Sequence, residues 1–503
     1  MSHRFPAKVS FDGGDLDCGS GLLLLIRRHI DPLAPGELLE VRSREISVGE
    51  DLPAWCRLTG NELVSHYEAG RERSFLIAKG AFKRPGRAPA PLPTAPIVPT
   101  FANALPAAAV APAVPALAVM GIGSWPRPRW LVRLLHERLS GQVEDDEFEA
   151  SADDAVRLVV EAQRRAGVDV FTDGEQRRDN YASFVGARLD NCQLVPLTDL
   201  LPYVDHPDEF RAQLDALDVP AERVRHPAVF GRLGRSRPLA VHELDFLGRV
   251  APAGAPRKVA LPGPYLLART MWMECISDRA YASREALADD LVRVLREEIA
   301  FLLAGGAALV QLDEPVLTEV VHGRPGGGRS FMCGALGEKG EPAVELAFAA
   351  ALLDRVTEGL PRDRLALHIC RGNWTPDEAA ALRGDWRPLL DFISRAPVGT
   401  LLLEMATPRA GDEAMLEAIP RDKRVGLGAV DQKLARVETV DEVVARLEPR
   451  LRCFGEDRLL LVPDCGFATF SDNPISAPDV AEAKLGALAA ARRVVLGRER
   501  KTS

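Results

Sequence analysis

The chain has 503 residues, of which 47% are hydrophobic, and its formal net charge is -9. This length is too great for one ordinary domain and indicates two or three, each with enough apolar residues for a core. The acidic balance argues against nucleic acid and anionic membranes as partners, because both bind basic surfaces.

The cysteines and the N-terminus indicate a cytoplasmic protein. The eight Cys are scattered along the chain and do not form the dense framework of a small secreted domain. The first residues lack the apolar segment of a secretory signal. The apolar region 104–120 is interrupted by Pro106, Pro112 and Pro115, so we expect no transmembrane helix.

Residues 1–83 are predicted to form a small α+β domain. Its expected elements, in the order βαβαββ, are a strand Lys8–Phe11, a helix Leu22–Ile30, a strand Glu37–Val41, a short helix Leu52–Arg57 and a hairpin of Leu63–Glu68 and Ser74–Lys79. This prediction is based on apolar residues that recur with the period of a helix or of a strand.

Cys18 lies just before the first predicted helix. A thiol there is close to the positive end of the helix dipole and to unpaired N–H groups, and both favour the thiolate. Cys18 is therefore a candidate reactive cysteine.

The segment around Cys18 resembles the TusA family of sulfur carriers, in the order of its elements and in the motif Leu-Asp-x-x-Gly-Leu-x-Cys-Pro-x-Pro. The matching positions include Asp12, Leu16 and Cys18. The resemblance implies a catalytic Cys18 and a sulfur-relay partner at this domain. Both motif prolines are replaced, by Gly19 and Gly21, which loosens the helix start. The alternative is a retained fold that serves as a docking or regulatory module.

Residues 84–117 are rich in Pro and Ala. Prolines lack an N–H donor and favour extended backbone, so this segment is predicted to be a semi-stiff linker without a fold of its own.

Residues 118–503 are predicted to form a (β/α)8 TIM barrel, because apolar strand-like runs alternate with helical patterns. The runs are Ala118–Ile122, Val168–Phe171, Lys258–Leu261, Ala308–Leu312, Leu365–His368, Thr400–Leu403, Val425–Gly428 and Leu459–Val462. The predicted helices include Ala152–Ala166, Arg284–Leu303, Val344–Glu358, Val440–Leu451 and Val480–Leu496. The long connection 190–255 is interpreted as an insertion, and a doubly wound open sheet is the alternative fold.

Four candidate metal ligands stand where these runs end. His368 and Cys370 are two residues apart and so point to one face of a strand. Glu404 follows the sixth run and Cys465 the eighth. Together they offer N, S, S and O donors, a set that suits tetrahedral zinc. Taken singly, each residue also fits an ordinary structural role, such as a buried Cys or a hydrogen-bonded His.

The other runs also end in polar residues, as a barrel with its chemistry at the strand C-termini requires. These residues include Ile122-Gly123-Ser124 after the first run, Asp173-Gly174-Glu175 after the second, Asp313-Glu314 after the fourth and Asp431-Gln432-Lys433 after the seventh. Such carboxylates can hold an ammonium group or transfer protons, and the alternative is loop capping.

These loops together resemble the catalytic barrel of the cobalamin-independent methionine synthase family over about residues 118–498. The resemblance implies methyl transfer to the thiol of homocysteine, from methyltetrahydrofolate or a methyl-corrinoid carrier. It also implies roles for the residues at the strand ends: zinc ligation by His368, Cys370, Glu404 and Cys465, and homocysteine binding by Ile122, Gly123, Ser124, Glu175 and Asp313.

The chain departs from that family in two places. The family has a His two residues after an Asp beyond the seventh strand, a candidate proton shuttle, whereas this chain has Asp431 and Lys433. A Lys donates a proton readily only if its pKa is lowered. Full-length members also have an additional N-terminal barrel, where this chain has the small domain and the linker. The chain therefore resembles the short members of the family more closely, which leaves the methyl donor open.

Two alternative functions follow from the same residues. The first keeps the zinc barrel but transfers an alkyl group to another small thiol or sulfur species, with sulfur supplied through Cys18. The second is a sulfur-relay or regulatory protein with a silent barrel, and a lack of zinc would favour it.

Overall fold

The computed structural model describes residues 3, 5–17, 21–82, 98, 99, 101, 102, 104–139, 141–196, 224–273, 277–323, 340–378 and 381–502. The chain forms two units, Met1–Ala90 and Pro91–Ser503. Cys18 lies outside the described residues, so its predicted reactivity stays a prediction. None of the described helices is long and apolar enough to cross a membrane.

The first unit has the predicted order βαβαββ. Its elements are β1 (Val9–Asp12), α1 (Leu23–Ile30), β2 (Leu38–Ser43), α2 (Val48–Thr59), β3 (Glu62–Ala69) and β4 (Glu72–Ala78). The sheet order is β1-β2-β4-β3, with β1 and β2 parallel and the other pairs antiparallel. Leu22, Ile26 and Ile30 recur at helical spacing and pack into one core with strand residues such as Val41 and Phe75.

The second unit is built on a parallel sheet, as predicted. Its strands are β5 (Asp190–Pro196), β6 (Arg225–Gly234), β7 (Lys258–Pro262), β8 (Leu309–Asp313), β9 (Leu365–Ile369), β10 (Thr400–Leu403), β11 (Arg424–Val430) and β12 (Leu459–Pro463). Strands β7 to β12 lie side by side in sequence order, all parallel. Strands β5 and β6 pair only with each other, in an antiparallel hairpin within the predicted insertion.

The first two predicted strands are reduced to isolated bridges, which close the sheet into a barrel. Val119 bridges to Leu461 of β12, and Met120 bridges to Val170. Phe171 in turn bridges to Arg257, next to β7. The (β/α)8 prediction is therefore confirmed, although these two runs make too few regular backbone hydrogen bonds to count as strands.

Helices surround the barrel. They are α3 (Arg129–Leu139), α4 (Asp145–Ala166), α5 (Val241–Val250), α6 (Pro264–Met271), α7 (Arg284–Ala304), α8 (Val316–His322), α9 (Pro342–Thr357), α10 (Leu390–Arg395), α11 (Val440–Phe454) and α12 (Pro478–Thr502). The predicted helices overlap α4, α7, α9, α11 and α12, but α4 begins earlier than predicted, at Asp145, and α12 ends later, at Thr502. Helix α11 begins with a capping box between Thr439 and Glu442, which pairs the backbone N–H groups of these two residues.

The second half of the predicted linker contacts the barrel. The guanidinium of Arg364 donates to the carbonyl of Ala109, and that of Arg424 donates to the carbonyls of Val114 and Pro115. Val114 also packs against the apolar residues inside the barrel. These contacts order a segment without helix or strand, and we expect the folding unit of the barrel to begin before residue 118.

Truncation tests where the folding unit begins. A chain starting at Val98 is expected to keep the thermal stability of the barrel. A chain starting at Ala118 loses several hydrogen bonds worth about 1 kcal/mol each and should unfold several degrees lower, as measured by calorimetry. Arg424→Ala should destabilise only the longer chain, because the shorter one lacks its partners. Equal unfolding temperatures for both chains would contradict this view.

Candidate active site

A cavity of about 490 Å³ opens at the C-terminal ends of the barrel strands, where the sequence predicts the chemistry. It is lined by Ile122, Ser124, Glu175, Tyr181, Asp313, Pro315, His368, Cys370, Asn373, Trp374, Cys465, Gly466, Thr469 and Phe470. Seven predicted site residues, at the ends of five different predicted strands, therefore face one space beside aromatic walls.

Three predicted metal ligands converge in this cavity. The ligand atoms of His368, Cys370 and Cys465 all lie within 4.8 Å of one another, and all three residues are buried. His368 belongs to β9, Cys370 follows it directly, and Cys465 follows β12. The closed sheet brings these strand ends together, although they lie far apart in the sequence.

His368 presents one nitrogen to this group. Its Nδ1 is 2.9 Å from Oδ1 of Asp313, and its buried Nε2 has no hydrogen-bond partner in the described part of the chain. Burial acts to lower the pKa of His368, but the bond to Asp313 and the nearby Cys370 raise it above its usual value. A His held through Nδ1 by a carboxylate is the usual arrangement of a metal ligand.

The two thiols share a hydrogen bond. It lowers the pKa of Cys370 to about 7, with burial opposing this shift and His368 assisting it. The same bond, together with burial, raises the pKa of Cys465 well above its usual value. One thiolate is therefore readily formed here, beside a thiol that donates to it.

Glu404, the predicted fourth ligand, is fully buried but engaged elsewhere. Its Oε2 accepts hydrogen bonds from the backbone N–H of Arg371 at 2.9 Å and from Nδ2 of Asn373 at 2.7 Å. Its Oε1 accepts from Nε of Arg409 at 2.6 Å. The compact group of possible ligands contains only His368, Cys370 and Cys465 among the described residues, so ligation by Glu404 stays a prediction.

Glu175 is a strained and buried carboxylate on the cavity wall. Its backbone has a φ of 56°, in a region that residues other than Gly rarely adopt. Its Oε2 has no hydrogen-bond partner among the described residues. Burial raises its pKa to about 7, with the guanidinium of Arg178, 3.9 Å from Oε1, opposing this shift and the carboxylates of Asp313 and Asp173 assisting it. Such a group gains strongly from a bound cation.

Two glycines give the cavity-lining side chains their space. A Cβ at position 123 would overlap Oε1 of Glu175, and one at position 466 would overlap Oγ of Ser124. Ser124 Oγ also accepts a hydrogen bond from the N–H of Ala468 at 3.3 Å. The predicted turn 122–124 is thus fitted to the loop that carries Cys465.

Asp431 and Lys433 do not line the cavity. Lys433 Nζ donates to the carbonyl oxygens of Thr375 and Asp377, and Asp431 Oδ1 accepts from the N–H of Lys433 at 2.9 Å. Burial lowers the pKa of Lys433 and raises that of Asp431. Their predicted catalytic role stays a prediction.

Sequence reasoning missed several polar residues around the site. Lys258 is 1% exposed, and burial lowers its pKa to about 7 against the opposing effect of nearby carboxylates. Arg409 binds Glu404 and Glu378 from a loop. A charge at the start of an apolar strand, Lys258-Val-Ala-Leu, was an available signal, whereas nothing local marks Arg409.

A protein-family model described as "Cobalamin-independent synthase, Catalytic domain" matches residues 117–202 and 220–478. A methionine synthase of Sulfurisphaera tokodaii is 26% identical over 353 residues, covering 70% of this chain and 86% of the relative. That of Saccharolobus solfataricus is 24% identical over 358 residues, covering 71% and 90%.

Two solved structures have a similar fold. A B12-independent methionine synthase from a Shewanella species, in complex with selenomethionine, has a TM-score of 0.57 and 24% identity, covering 77% of this chain and all of that one. A putative vitamin-B12 independent methionine synthase from Listeria monocytogenes has a TM-score of 0.52 and 18% identity, covering 77% and 99%.

Proposed function

Because the chain belongs to the family of cobalamin-independent synthase catalytic domains, we propose that it transfers a methyl group to the thiol of homocysteine and forms methionine. One observation carries the proposal. The His368, Cys370 and Cys465 group lies in the same cavity as the carboxylates of Glu175 and Asp313. Such a cavity suits a small molecule that carries both a thiol and an ammonium group.

The residues present fit a zinc ion. His368 Nε2 has no other partner in the described part of the chain, and two cysteine sulfurs lie beside it. One nitrogen and two sulfurs leave room for a further ligand in a tetrahedral set. Zinc bound there would supply a thiolate at neutral pH, where a free thiol is mostly protonated and a poor nucleophile.

Glu175 and Asp313 are proposed to hold the ammonium group of homocysteine. Both hydrogen bonds that Asp313 receives from the described residues go to Oδ1, so Oδ2 is the proposed oxygen for a ligand. In a buried site an ion pair of this kind is stronger than in water. The turn at Ile122 and Ser124 is proposed to receive the substrate carboxylate. The amino-acid end of homocysteine is then fixed while its thiol reaches the ligand group.

Aromatic walls are proposed to shield the reacting sulfur from water. Trp374 and Phe470 line the cavity together with Pro315. Apolar surfaces of this type exclude water and strengthen the electrostatic contacts inside the site. They also provide flat surfaces for a ring-bearing methyl donor.

The methyl donor is proposed to be methyltetrahydrofolate or a methyl-corrinoid carrier. A methyl group on a folate nitrogen leaves only if that nitrogen is protonated. Lys433 has a lowered pKa, as an acid for this step requires, but its amine is bound to carbonyl oxygens. Asp431 and Lys433 therefore serve as the proposed acid only if the Lys433 side chain turns toward the cavity when the donor binds.

Methionine formation tests the function. Purified zinc-loaded protein is incubated anaerobically with homocysteine and, in parallel, methyltetrahydrofolate or methylcobalamin, and methionine is measured by mass spectrometry. Methionine from either donor supports the proposal and identifies the donor class. No methionine from either reaction with zinc-replete protein would count against homocysteine and favour another thiol acceptor.

Gly123→Ala tests the contact between the turn and Glu175. The added methyl group would push the Glu175 carboxylate from its place, and we expect KM for homocysteine to rise about tenfold, as for a weakened buried ion pair. Gly121→Ala is the matched control, because a Cβ there meets nothing within 4 Å. Equal KM values for both variants would contradict the role given to Glu175.

A further inference from the structure

Lys258 lies buried beneath the site, at the first residue of β7. Its Nζ donates to the carbonyl oxygens of Gly121 and Ile122, at 2.6 and 2.7 Å, and to Oε1 of Gln311 at 2.7 Å. A lysine ammonium has three donors and no acceptor. Each of its N–H groups is thus matched by one acceptor.

This lysine determines how the next residues are oriented. Three oxygen acceptors surround Nζ and match the three N–H groups of the ammonium form, so the Gln311 amide turns its oxygen toward Nζ and its NH2 group away from it. Gln311 Nε2 accordingly donates to Oδ1 of Asp313 at 2.6 Å. The Gln311 amide therefore connects Lys258 on β7 to Asp313 on β8, accepting one hydrogen bond and donating the other.

The same logic continues to His368. Asp313 Oδ1 already accepts from the Gln311 amide, so this oxygen is the acceptor in its contact with His368 as well. His368 Nδ1, at 2.9 Å, must then carry the proton, which leaves the lone pair of the neutral ring on Nε2. That nitrogen has no partner among the described residues, so it is the one left to bind a metal ion together with the two thiols.

We propose that Lys258 and Gln311 are positioning residues that link the turn at 121–122 to the metal-binding nitrogen of His368. This inference rests on the proposed function, because it assigns His368 to a metal ion. The three residues Lys258, Gln311 and Asp313 hold the imidazole in the tautomer and orientation that a metal requires. Through Lys258 the same contacts fix the turn that is proposed to receive the substrate carboxylate.

A purely structural role would be shared by other buried lysines. Lys423 is also fully buried, and its Nζ donates to the carbonyls of Ala396 and Val398. Neither of these two residues lines the cavity. Lys423→Met therefore reproduces the loss of a buried, hydrogen-bonded lysine without touching His368.

The test measures the zinc affinity of the metal-free full-length chain by competition with a chromophoric chelator. Gln311→Met and Lys258→Met are each expected to weaken zinc binding about 10- to 100-fold, the usual effect of losing such an outer hydrogen bond. The zinc affinity of the double variant should be no lower than that of the weaker-binding single variant, because both substitutions act through the same contact. Lys423→Met should lower the unfolding temperature and leave zinc affinity within about twofold.

Each outcome decides the inference. Folded Gln311→Met protein with wild-type zinc affinity would overturn it, as would single effects that add fully in the double variant. If Lys258→Met does not fold, the comparison of Gln311→Met with Lys423→Met decides alone. Wild-type protein that binds no zinc would overturn both the metal centre and this inference. Weakened binding in Gln311→Met, with no methionine formed by wild type, would overturn only the proposed function.

Discussion

His368→Ala and Cys465→Ser are each expected to remove bound zinc and methyl transfer together. Each substitution takes one of three ligand atoms that lie within 4.8 Å of one another. Metal catalysis typically contributes several kcal/mol, and about 4 kcal/mol corresponds to a 1,000-fold loss of rate. The measurements are zinc content by elemental analysis and methionine formation by mass spectrometry.

Cys453→Ser is the matched control for these variants. Cys453 is exposed and lies on helix α11, whereas Cys465 is buried in the cavity. The control should keep full zinc content and activity. If His368→Ala or Cys465→Ser retained both zinc and turnover, the ligand assignment would be wrong. Loss of zinc with retained turnover would separate the metal from the chemistry.

The barrel and the proximity of His368, Cys370 and Cys465 could be predicted because their signals are local. Leu365–His368, Thr400–Leu403 and Leu459–Val462 are short apolar runs, and each is followed by a residue that can bind metal. Parallel strands in a closed barrel all end at the same face. A local pattern combined with one rule of topology therefore brings His368 and Cys465 together.

The first two strands show where the local signal misleads. Val119 and Val170 stand in apolar runs, yet each forms only an isolated bridge. The N–H of Val119 donates to the side chain of Asp169 at 2.8 Å instead of joining a regular ladder. A carboxylate in the neighbouring run thus replaces a backbone acceptor. The spacing of apolar residues in the sequence does not indicate this replacement.

The partners of Glu404 could not be predicted for a related reason. Its oxygens bind Arg371, Asn373 and Arg409, which come from two different loops. Loop side chains meet through the fold and not through spacing in sequence. The sequence indicates a carboxylate at a strand end, but whether it faces a metal or an arginine depends on these long-range contacts.

Glu175→Gln is expected to weaken binding of the amino-acid substrate and to change its pH dependence. The substitution leaves the size of the side chain but removes a charge that would face an ammonium group in a buried site. Losing one partner of such a pair costs about 2 kcal/mol or more, or roughly 30-fold in affinity. Calorimetric titration with methionine, the proposed product, measures this change in affinity. Because methionine has no thiol, no thiol ionisation contributes to its pH dependence.

The direction of the pH effect follows from the raised pKa of Glu175, about 7, for which burial is the main cause. Below this value the carboxyl is protonated and neutral, so the bound ammonium loses its partner. Methionine affinity of the wild type should therefore rise with pH up to about 7 and then level off, with a slope of up to about tenfold per pH unit below it. Glu175→Gln should lack this slope, since its amide does not titrate.

The contradicting outcome is a wild-type methionine affinity that stays constant between pH 5.5 and 8, a window on the order of one titration range on each side of this pKa. That result would show that Glu175 does not bind the ammonium group. The carboxylate of Asp313 would then be left as its sole partner among the acidic residues that line the cavity.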